Sequence, residues 1–166
     1  MQGGDSCRLI AINLFNFVEN PFTKDAKFLM EDFYKSTYEG QRLMDDLVDL
    51  ETEAIGRILR KVEADDEPEN IKQVEKETWE LLLKTGKEGR RTGLGFTALA
   101  DMVAALGMAI DSDDAIAKVE EIMKEKCRAE FVSSIDMSLE RGRFVGFDAM
   151  IEHTDEFVQL LEGELS

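Results

Sequence analysis

The chain has 166 residues, of which 43% are apolar and 34% are charged, and its formal net charge is −16. This length predicts a single domain over residues 1–166 with a buried core, and the composition excludes a disordered tail. No apolar run approaches the roughly 20 residues that cross a bilayer, and the acidic charge makes nucleic acid and an anionic membrane poor partners. Two cysteines are too few for a secreted disulfide scaffold, so we expect a cytoplasmic protein.

The first half of the chain predicts a strand followed by helices. The apolar run Cys7–Val18 lies between turn residues and predicts a buried strand, or a strand and a turn. A helical period begins at Ala26, with Thr23 or Asp25 as its expected cap, and Gly40 is expected to divide it into two helices. The acidic stretch of residues 61–70 predicts an exposed loop, and residues 71–85 predict another helix.

The second half is also predicted to be mainly helical. Residues 86–95 are polar and glycine-rich, without a strand signal, and residues 96–108 predict an apolar helix buried nearly all round. Asp111 and Ser112 are expected to cap a long helix that runs to about Arg141 and ends at Gly142. A last helix is predicted over residues 148–161. The fold class is therefore predominantly α (α+β), with a short N-terminal strand followed by about five to six helices.

Two motifs allow a functional and a structural interpretation. Residues 93–98 (GLGFTA) fit the loose dinucleotide fingerprint G-x-G-x-x-A, but that site needs a strand immediately before it. The pattern therefore favours glycines that let a buried helix approach its neighbours closely. Asp45, Asp46 and Asp49 have the D-D-x-x-D spacing with which prenyl-diphosphate synthases hold magnesium and a diphosphate. An acidic solvated helix face is the simpler interpretation, and magnesium binding is kept as an alternative.

Three further residues carry possible chemistry. His153 is the only histidine, which disfavours a histidine metal cluster or a Ser-His-Asp site, and we expect it on the surface of the last helix. Cys127 is interpreted as a packed side chain of the long helix. Cys7 opens the predicted strand beside Arg8, whose charge favours a thiolate, so Cys7 is the candidate redox residue.

Several blocks of the sequence together resemble one enzyme family. The residues are Asp5–Leu14 (DSCRLIAINL), Phe17–Thr23 (FVENPFT), Leu43–Glu51 (LMDDLVDLE), Gly89–Gly107 (GRRTGLGFTALADMVAALG) and Glu140–Phe144 (ERGRF). In this order they resemble the catalytic chain of ribonucleotide reductases, and the class II, adenosylcobalamin-dependent branch most closely. The resemblance implies that the chain is a fragment of the family's strand-and-helix barrel.

The resemblance also implies roles for residues. Cys7 is similar to one of the family's two redox cysteines, which reduce the substrate ribose, end as a disulfide and are regenerated by thiol exchange. In the family the radical cysteine lies on an N-x-C-x-E loop upstream of this strand, and this sequence contains no such loop. Cys127 matches no redox position of the family. Asp45, Asp46 and Asp49 fall in a structural helix of the family, and Gly93 and Gly95 at a packed helix.

We therefore expect part of a ribonucleoside di- or triphosphate reductase catalytic chain that makes deoxyribonucleotides by radical chemistry and is inactive alone. Its expected partners are the remaining segments of the reductase, or further copies of itself, and a thioredoxin-like reductant. Adenosylcobalamin is the expected cofactor, without identified binding residues. The alternative is a non-catalytic acidic helical module for interaction or regulation, derived from that family.

Overall fold

The computed structural model describes residues 3–165, except for the side chains of residues 161, 162, 164 and 165. Its strands are β1 (Arg8–Asn13), β2 (Val18–Glu19), β3 (Lys27–Phe28) and β4 (Thr92–Thr97). Its helices are α1 (Met30–Ala64), α2 (Glu69–Gly89), α3 (Leu99–Ala105), α4 (Asp113–Arg141), α5 (Ala149–Thr154) and α6 (Glu156–Leu165). A short 3-10 helix, Leu14–Phe17, follows β1.

The principal sheet consists of β1 and β4, which are parallel and pair in register from Arg8 opposite Thr92 to Asn13 opposite Thr97. Among the described residues each of these strands has only the other as a partner. The chain between them contains α1 and α2, and parallel strands require such a long connection. The two-residue strands β2 and β3 form a separate antiparallel pair, with Val18 opposite Phe28.

The core lies between one face of this sheet and the helices. α1 packs against α4, α2 and both strands of the principal sheet. The fully buried side chains of the core include Leu14, Phe33, Met44, Val48, Met102 and Ile122. Because α1 contacts all of these elements, this helix of 35 residues is the frame on which the two strands are placed.

Several predictions are confirmed. The fold is mainly helical with a short N-terminal strand, and β1 followed by a 3-10 turn lies within the predicted stretch Cys7–Val18. Ser112 caps α4 by accepting a hydrogen bond from the amide of Ala115, and the helix ends at Gly142. Gly142 has a φ of +84°, a conformation that a residue with a side chain rarely adopts.

The prediction that Gly40 divides the first helical stretch was wrong, because α1 is continuous through it. A Cβ at Gly40 would lie 3.3 Å from Cδ1 of Leu94, so the glycine permits close packing of α1 on β4. Neither Thr23 nor Asp25 caps the helix, which begins at Met30. Instead, the Thr23 hydroxyl stabilises a preceding turn by donating to the carbonyl of Asn20 and accepting from the amide of Asp25.

The region of residues 86–108 also differs from its prediction. Gly93 and Gly95 lie in β4 rather than at the start of a helix, and of the helix predicted over residues 96–108 only Leu99–Ala105 is helical. α3 is buried on one face through Met102 and Val103, whereas Asp101 is exposed. The predicted loop of residues 61–70 is shorter than expected, since α1 ends at Ala64 and α2 begins at Glu69. The last predicted helix is divided into α5 and α6 at Asp155.

A search for a membrane span among the described residues finds no helix with the length and apolarity that crossing a bilayer requires.

Candidate functional site

The principal sheet has one covered and one open face. Along β1 the exposure alternates, with Ile10 and Ile12 toward the core and Leu9 and Ala11 exposed. Strand geometry produces this alternation, because successive side chains point to opposite faces. Cys7 directly precedes β1 and is exposed, and its Sγ lies next to Leu9 above residue 93 of β4. The open face therefore carries the candidate redox thiol.

Arg8 anchors the strand beneath this thiol. Its guanidinium forms an ion pair with Glu51 of α1, and its Nη1 donates to the Ser6 carbonyl at 3.0 Å. The Arg8 side chain is only 9% exposed whereas that of Glu51 is 40% exposed, so only the arginine end of the pair is shielded from solvent. The Cys7 thiol is 4.0 Å from the Arg8 carbonyl oxygen, to which it donates. The expected effect of Arg8 on the ionisation of Cys7 stays a prediction.

Arg90 links the end of α2 to α1. Its Nε donates to Oδ1 of Asp45 at 2.7 Å and its Nη1 to Oδ1 of Asp49 at 2.7 Å, while Nη2 donates to the Asp45 carbonyl at 3.0 Å. Arg90 is itself the cap of α2 and has left-handed backbone angles, with φ at +39°. Such angles are uncommon outside glycine, and here they turn the chain from α2 into β4 while the guanidinium faces α1.

Arg141 completes the same cluster from the end of α4. Its Nη1 donates to Oδ2 of Asp45 at 2.7 Å and to Oδ1 of Asp46 at 2.8 Å. Burial of Asp45 opposes its ionisation, but the hydrogen bonds and charges of Arg90 and Arg141 outweigh it, so the pKa of this carboxyl lies below its usual value. The three aspartates of the D-D-x-x-D motif therefore join three helices.

A polar cleft lies near the N-terminal end of the sheet. Asp5 pairs there with Arg91, and the amide of Gly146 donates to the Glu88 carbonyl at 2.9 Å, which holds residues 144–147 against the end of α2. The cleft has a volume of about 530 Å³, and its lining includes Asp5, Thr85, Glu88, Arg91, Val145 and Glu152. The acidic side chains outnumber Arg91 in this lining, so an anionic ligand is disfavoured.

The other predicted site residues are His153, Cys127 and the glycine motif of residues 93–98. His153 is exposed on α5, and Cys127 is partly buried on α4, where burial and the charge of Glu130 raise the pKa of its thiol. Residues 93–98 form β4 and its exit, so the glycines lie within the strand and not between a strand and a helix, as the dinucleotide fingerprint requires. Among the described residues, no three His, Cys, Asp or Glu side chains are grouped as metal ligands.

A comparison with models of protein families identifies the family to which this chain belongs. A family model described as ribonucleotide reductase, barrel domain, matches residues 3–160. The chain belongs to this family. No curated protein matches the chain.

Membership in the reductase barrel family accounts for the order of the family-like sequence blocks, and the fold shows which contacts join all of them except Phe17–Thr23. The block that contains β1 reaches α1 through Arg8 and Glu51, and it reaches β4 through Asp5 and Arg91. Asp45, in the block of α1, forms ion pairs with Arg90 of the block Gly89–Gly107 and with Arg141 of the block Glu140–Phe144. The blocks are therefore one charged assembly beneath the open face that carries Cys7.

Sequence reasoning missed the role of the arginines in this assembly. Arg90 and Arg141 were noted as parts of family-like motifs, and Arg141 also as the end of the long helix, whereas they are the partners of the aspartates whose spacing suggested magnesium. A usable signal was present. Three acidic residues on one helix face in a largely helical chain need cations nearby, and the G-R-R segment supplies adjacent arginines at a break between predicted elements.

Proposed function

We propose that this chain is one part of a ribonucleotide reductase catalytic barrel, and that Cys7 is one of the two thiols that reduce the ribose. The observation that carries the proposal is the position of Cys7 on the open face of a parallel sheet, in a chain of the reductase barrel family. The substrate would be a ribonucleoside di- or triphosphate, and the compartment the cytoplasm.

The open sheet supports a role within a larger assembly. Parallel sheets are normally covered on both faces, and a pair of strands is marginal by itself. Here the two strands leave one face and their outer edges without a protein partner among the described residues. Leu43, Leu47 and Leu50 also recur along one side of α1 and are 54%, 36% and 59% exposed. Further barrel segments, or other copies of this chain, would cover these surfaces.

The proposed chemistry of Cys7 is a two-electron reduction. Once a radical has formed at the 3′ carbon, the 2′ hydroxyl leaves as water and a hydrogen replaces it. Two thiols, Cys7 and a second cysteine from another segment, give up two electrons and two protons in total and become a disulfide. A dithiol reductant, such as a thioredoxin-like protein, then restores both thiols by exchange, for which an exposed sulphur is required.

Adenosylcobalamin is proposed as the radical source from the resemblance to the class II branch. The polar cleft near Asp5 does not fit it, because three carboxylates face a single arginine in the lining and repel the phosphate of the cofactor. His153, the one imidazole of the sequence, is exposed on α5 and does not line the polar cleft. We therefore assign no residue of this chain to the cofactor, whose binding groups would belong to other segments.

The test is reconstitution of the assembly. The DNA on either side of the reading frame is sequenced. Genes that encode a chain with an N-x-C-x-E loop and a chain with a phosphate-binding loop are then expressed together with the gene of this chain. Deoxyribonucleotide formation with a dithiol reductant is then measured. We expect Cys7→Ser to abolish turnover and Cys127→Ser, the matched control, to retain it. An active Cys7→Ser assembly would reject the role of this thiol.

The second candidate is a non-catalytic interaction module. The exposed apolar side chains of α1 favour it, because a surface that binds another protein needs apolar side chains whether or not the assembly catalyses a reaction. It predicts stable association with reductase segments or with itself, measurable by analytical ultracentrifugation, and no dependence of any turnover on Cys7. The two candidates are therefore separated by the same pair of cysteine variants.

A further inference from the structure

α5 and α6 form an arm that carries exposed apolar side chains. We define the arm as residues 148–165. Met150, Ile151, Phe157 and Leu160 are 74%, 66%, 61% and 62% exposed. Phe157 and Leu160 are three residues apart on α6, so helix geometry places them on one face. Large apolar side chains grouped in this way on a surface mark a site of interaction with another molecule.

Little of the structure of the arm comes from packing. The Asp148 carboxylate caps α5 and the Asp155 carboxylate caps α6, in each case by accepting hydrogen bonds from backbone amides. Gln159 joins the two helices by donating from Nε2 to the His153 carbonyl at 3.0 Å. None of their described side chains is buried, and their main contacts are with each other. Isolated helices shorter than about 12–15 residues are marginal in water, so helices of 6 and 10 residues need a further surface on which to pack.

The charge of the arm indicates the chemistry of that surface. After Arg143 the sequence contains six acidic residues and no lysine or arginine. Glu152 directly follows Ile151, and Glu156 directly precedes Phe157. Neither glutamate has an ion-pair partner within the described part of the chain. A surface on which lysines or arginines flank apolar side chains therefore complements the arm in both properties.

A second copy of this chain is a poor occupant of the arm. The net charge is −16, and most of the lysines and arginines already form ion pairs with acidic residues of their own chain. An anionic membrane is disfavoured as well, because it repels acidic residues. An amphipathic helix of another protein fits better, since such helices bind through apolar anchors one turn apart and can carry lysines beside them.

We propose that the arm is a docking surface for a basic amphipathic helix of a partner protein. The apolar side of the partner helix packs on the four exposed apolar side chains of the arm, and its lysines or arginines pair with Glu152 and Glu156. This surface is separate from the exposed leucines of α1, and its occupation does not depend on the role of Cys7.

The experiment measures the binding of fluorescent synthetic peptides to the full chain by anisotropy. The probe is a peptide of about 18 leucines and lysines, in which the leucines recur at i, i+3, i+4 and i+7. One control peptide has the same composition in an order without an apolar face, and another has glutamate in place of every lysine. Circular dichroism and the thermal midpoint are recorded for each chain variant, which separates a change at the surface from a loss of fold.

The apolar contribution is tested by Phe157→Ser combined with Leu160→Ser. The matched control is Ile135→Ser combined with Leu139→Ser, because these two side chains are 57% and 81% exposed on α4, outside the arm. We expect the arm variant to bind the leucine–lysine peptide at least about tenfold more weakly than the parent, since the loss of apolar anchors usually has an effect of this size. The α4 variant should bind within about twofold of the parent.

The charge contribution is tested by Glu152→Gln combined with Glu156→Gln. We expect this variant to bind the peptide at least about threefold more weakly at low salt, and the difference to shrink at about 0.5 M salt, where exposed charges are screened. Asp65→Asn combined with Asp66→Asn, in the exposed loop between α1 and α2, is the matched control and should bind as the parent does. The glutamate peptide should not bind.

Equal binding of the reordered peptide would overturn the proposal, because charge alone would then explain the affinity. Equal losses in the arm variant and the α4 variant would also overturn it. A dimer that analytical ultracentrifugation detects in the parent and not in the arm variant would assign the arm to a second copy instead. Flotation with vesicles of phosphatidylcholine and phosphatidylglycerol that requires Phe157 and Leu160 would assign it to a membrane. None of these measurements involves Cys7 or turnover, so they are independent of the test of the proposed function.

Discussion

Replacement of Asp45 by asparagine tests whether the charged cluster holds α1, α2 and α4 together. The side chain of Asp45 is 13% exposed, and its two oxygens each accept a 2.7 Å hydrogen bond from an arginine. Hydrogen bonds to charged groups contribute about 1.5–3 kcal/mol each, and removal of one partner from a fully buried pair costs about 3–5 kcal/mol. Arg90 retains Asp49 and a carbonyl, and both arginines are partly solvated. We therefore expect a loss of about 2 kcal/mol.

The matched control is Asp46→Asn. Asp46 accepts from Arg141 at 2.8 Å but is 53% exposed, so its pair should contribute no more than about 1 kcal/mol. Urea denaturation followed by circular dichroism at neutral pH compares the two variants with the parent. For a chain of this size, about 2 kcal/mol corresponds to a fall of roughly 4–8 °C in the thermal midpoint. Equal effects of Asp45→Asn and Asp46→Asn would refute the argument from burial.

The pH dependence gives a second check on the same variant. The pKa of Asp45 is lowered in the folded chain, so the unfolded chain binds more protons as the pH falls. The stability from this carboxylate is therefore complete above its unfolded pKa of about 4 and is lost as the pH falls through the folded value. The difference in stability between the parent and Asp45→Asn should shrink below about pH 4. A difference that stays constant down to pH 2 would show that charge is not its source.

Three glycine variants and one alkylation measurement test separate features. Gly56→Ala should stabilise α1 by about 0.5–1 kcal/mol in urea denaturation, because its new methyl meets only a flexible side chain. Gly40→Ala should gain less, since its methyl crowds the core at 3.3 Å. Peptide mass spectrometry after brief alkylation should find Cys7 modified about ten times faster than Cys127, whose thiol pKa is raised by burial. Gly146→Ala places a Cβ 2.6 Å from a backbone carbonyl of α2, so limited proteolysis should cut residues 144–152 sooner than in the parent.

The elements that local sequence specifies were predictable. Ser112 and Gly142 mark the ends of α4 because a capping hydroxyl and a positive φ are local requirements. β1 was recognisable from its apolar run between turn residues. In each case the residues that decide the structure lie within the element or beside it.

The elements that depend on distant partners were not predictable in this way. β4 has two glycines in six residues, which disfavour a strand, and its pairing with β1 compensates for them. Gly40 resembles a helix break until Leu94 is placed against it. The aspartates of α1 were interpreted as a solvated face or as magnesium ligands, whereas they pair with arginines that follow far along the chain. Cys7 was identified from its neighbours and the family, whereas the sheet beside it depends on β4, far along the chain.

The parallel pairing of β1 with β4 also sets an order of folding. The two strands meet only after a loop that contains all of α1 and α2 has closed, and such a closure costs entropy before its contacts form. The antiparallel contact of α1 with α2 is more local, so we expect this helical hairpin to form first. During synthesis the apolar β1 emerges from the ribosome before β4 and stays unpaired until β4 follows. In that interval β1 and the neighbouring thiol of Cys7 are open to premature association and oxidation.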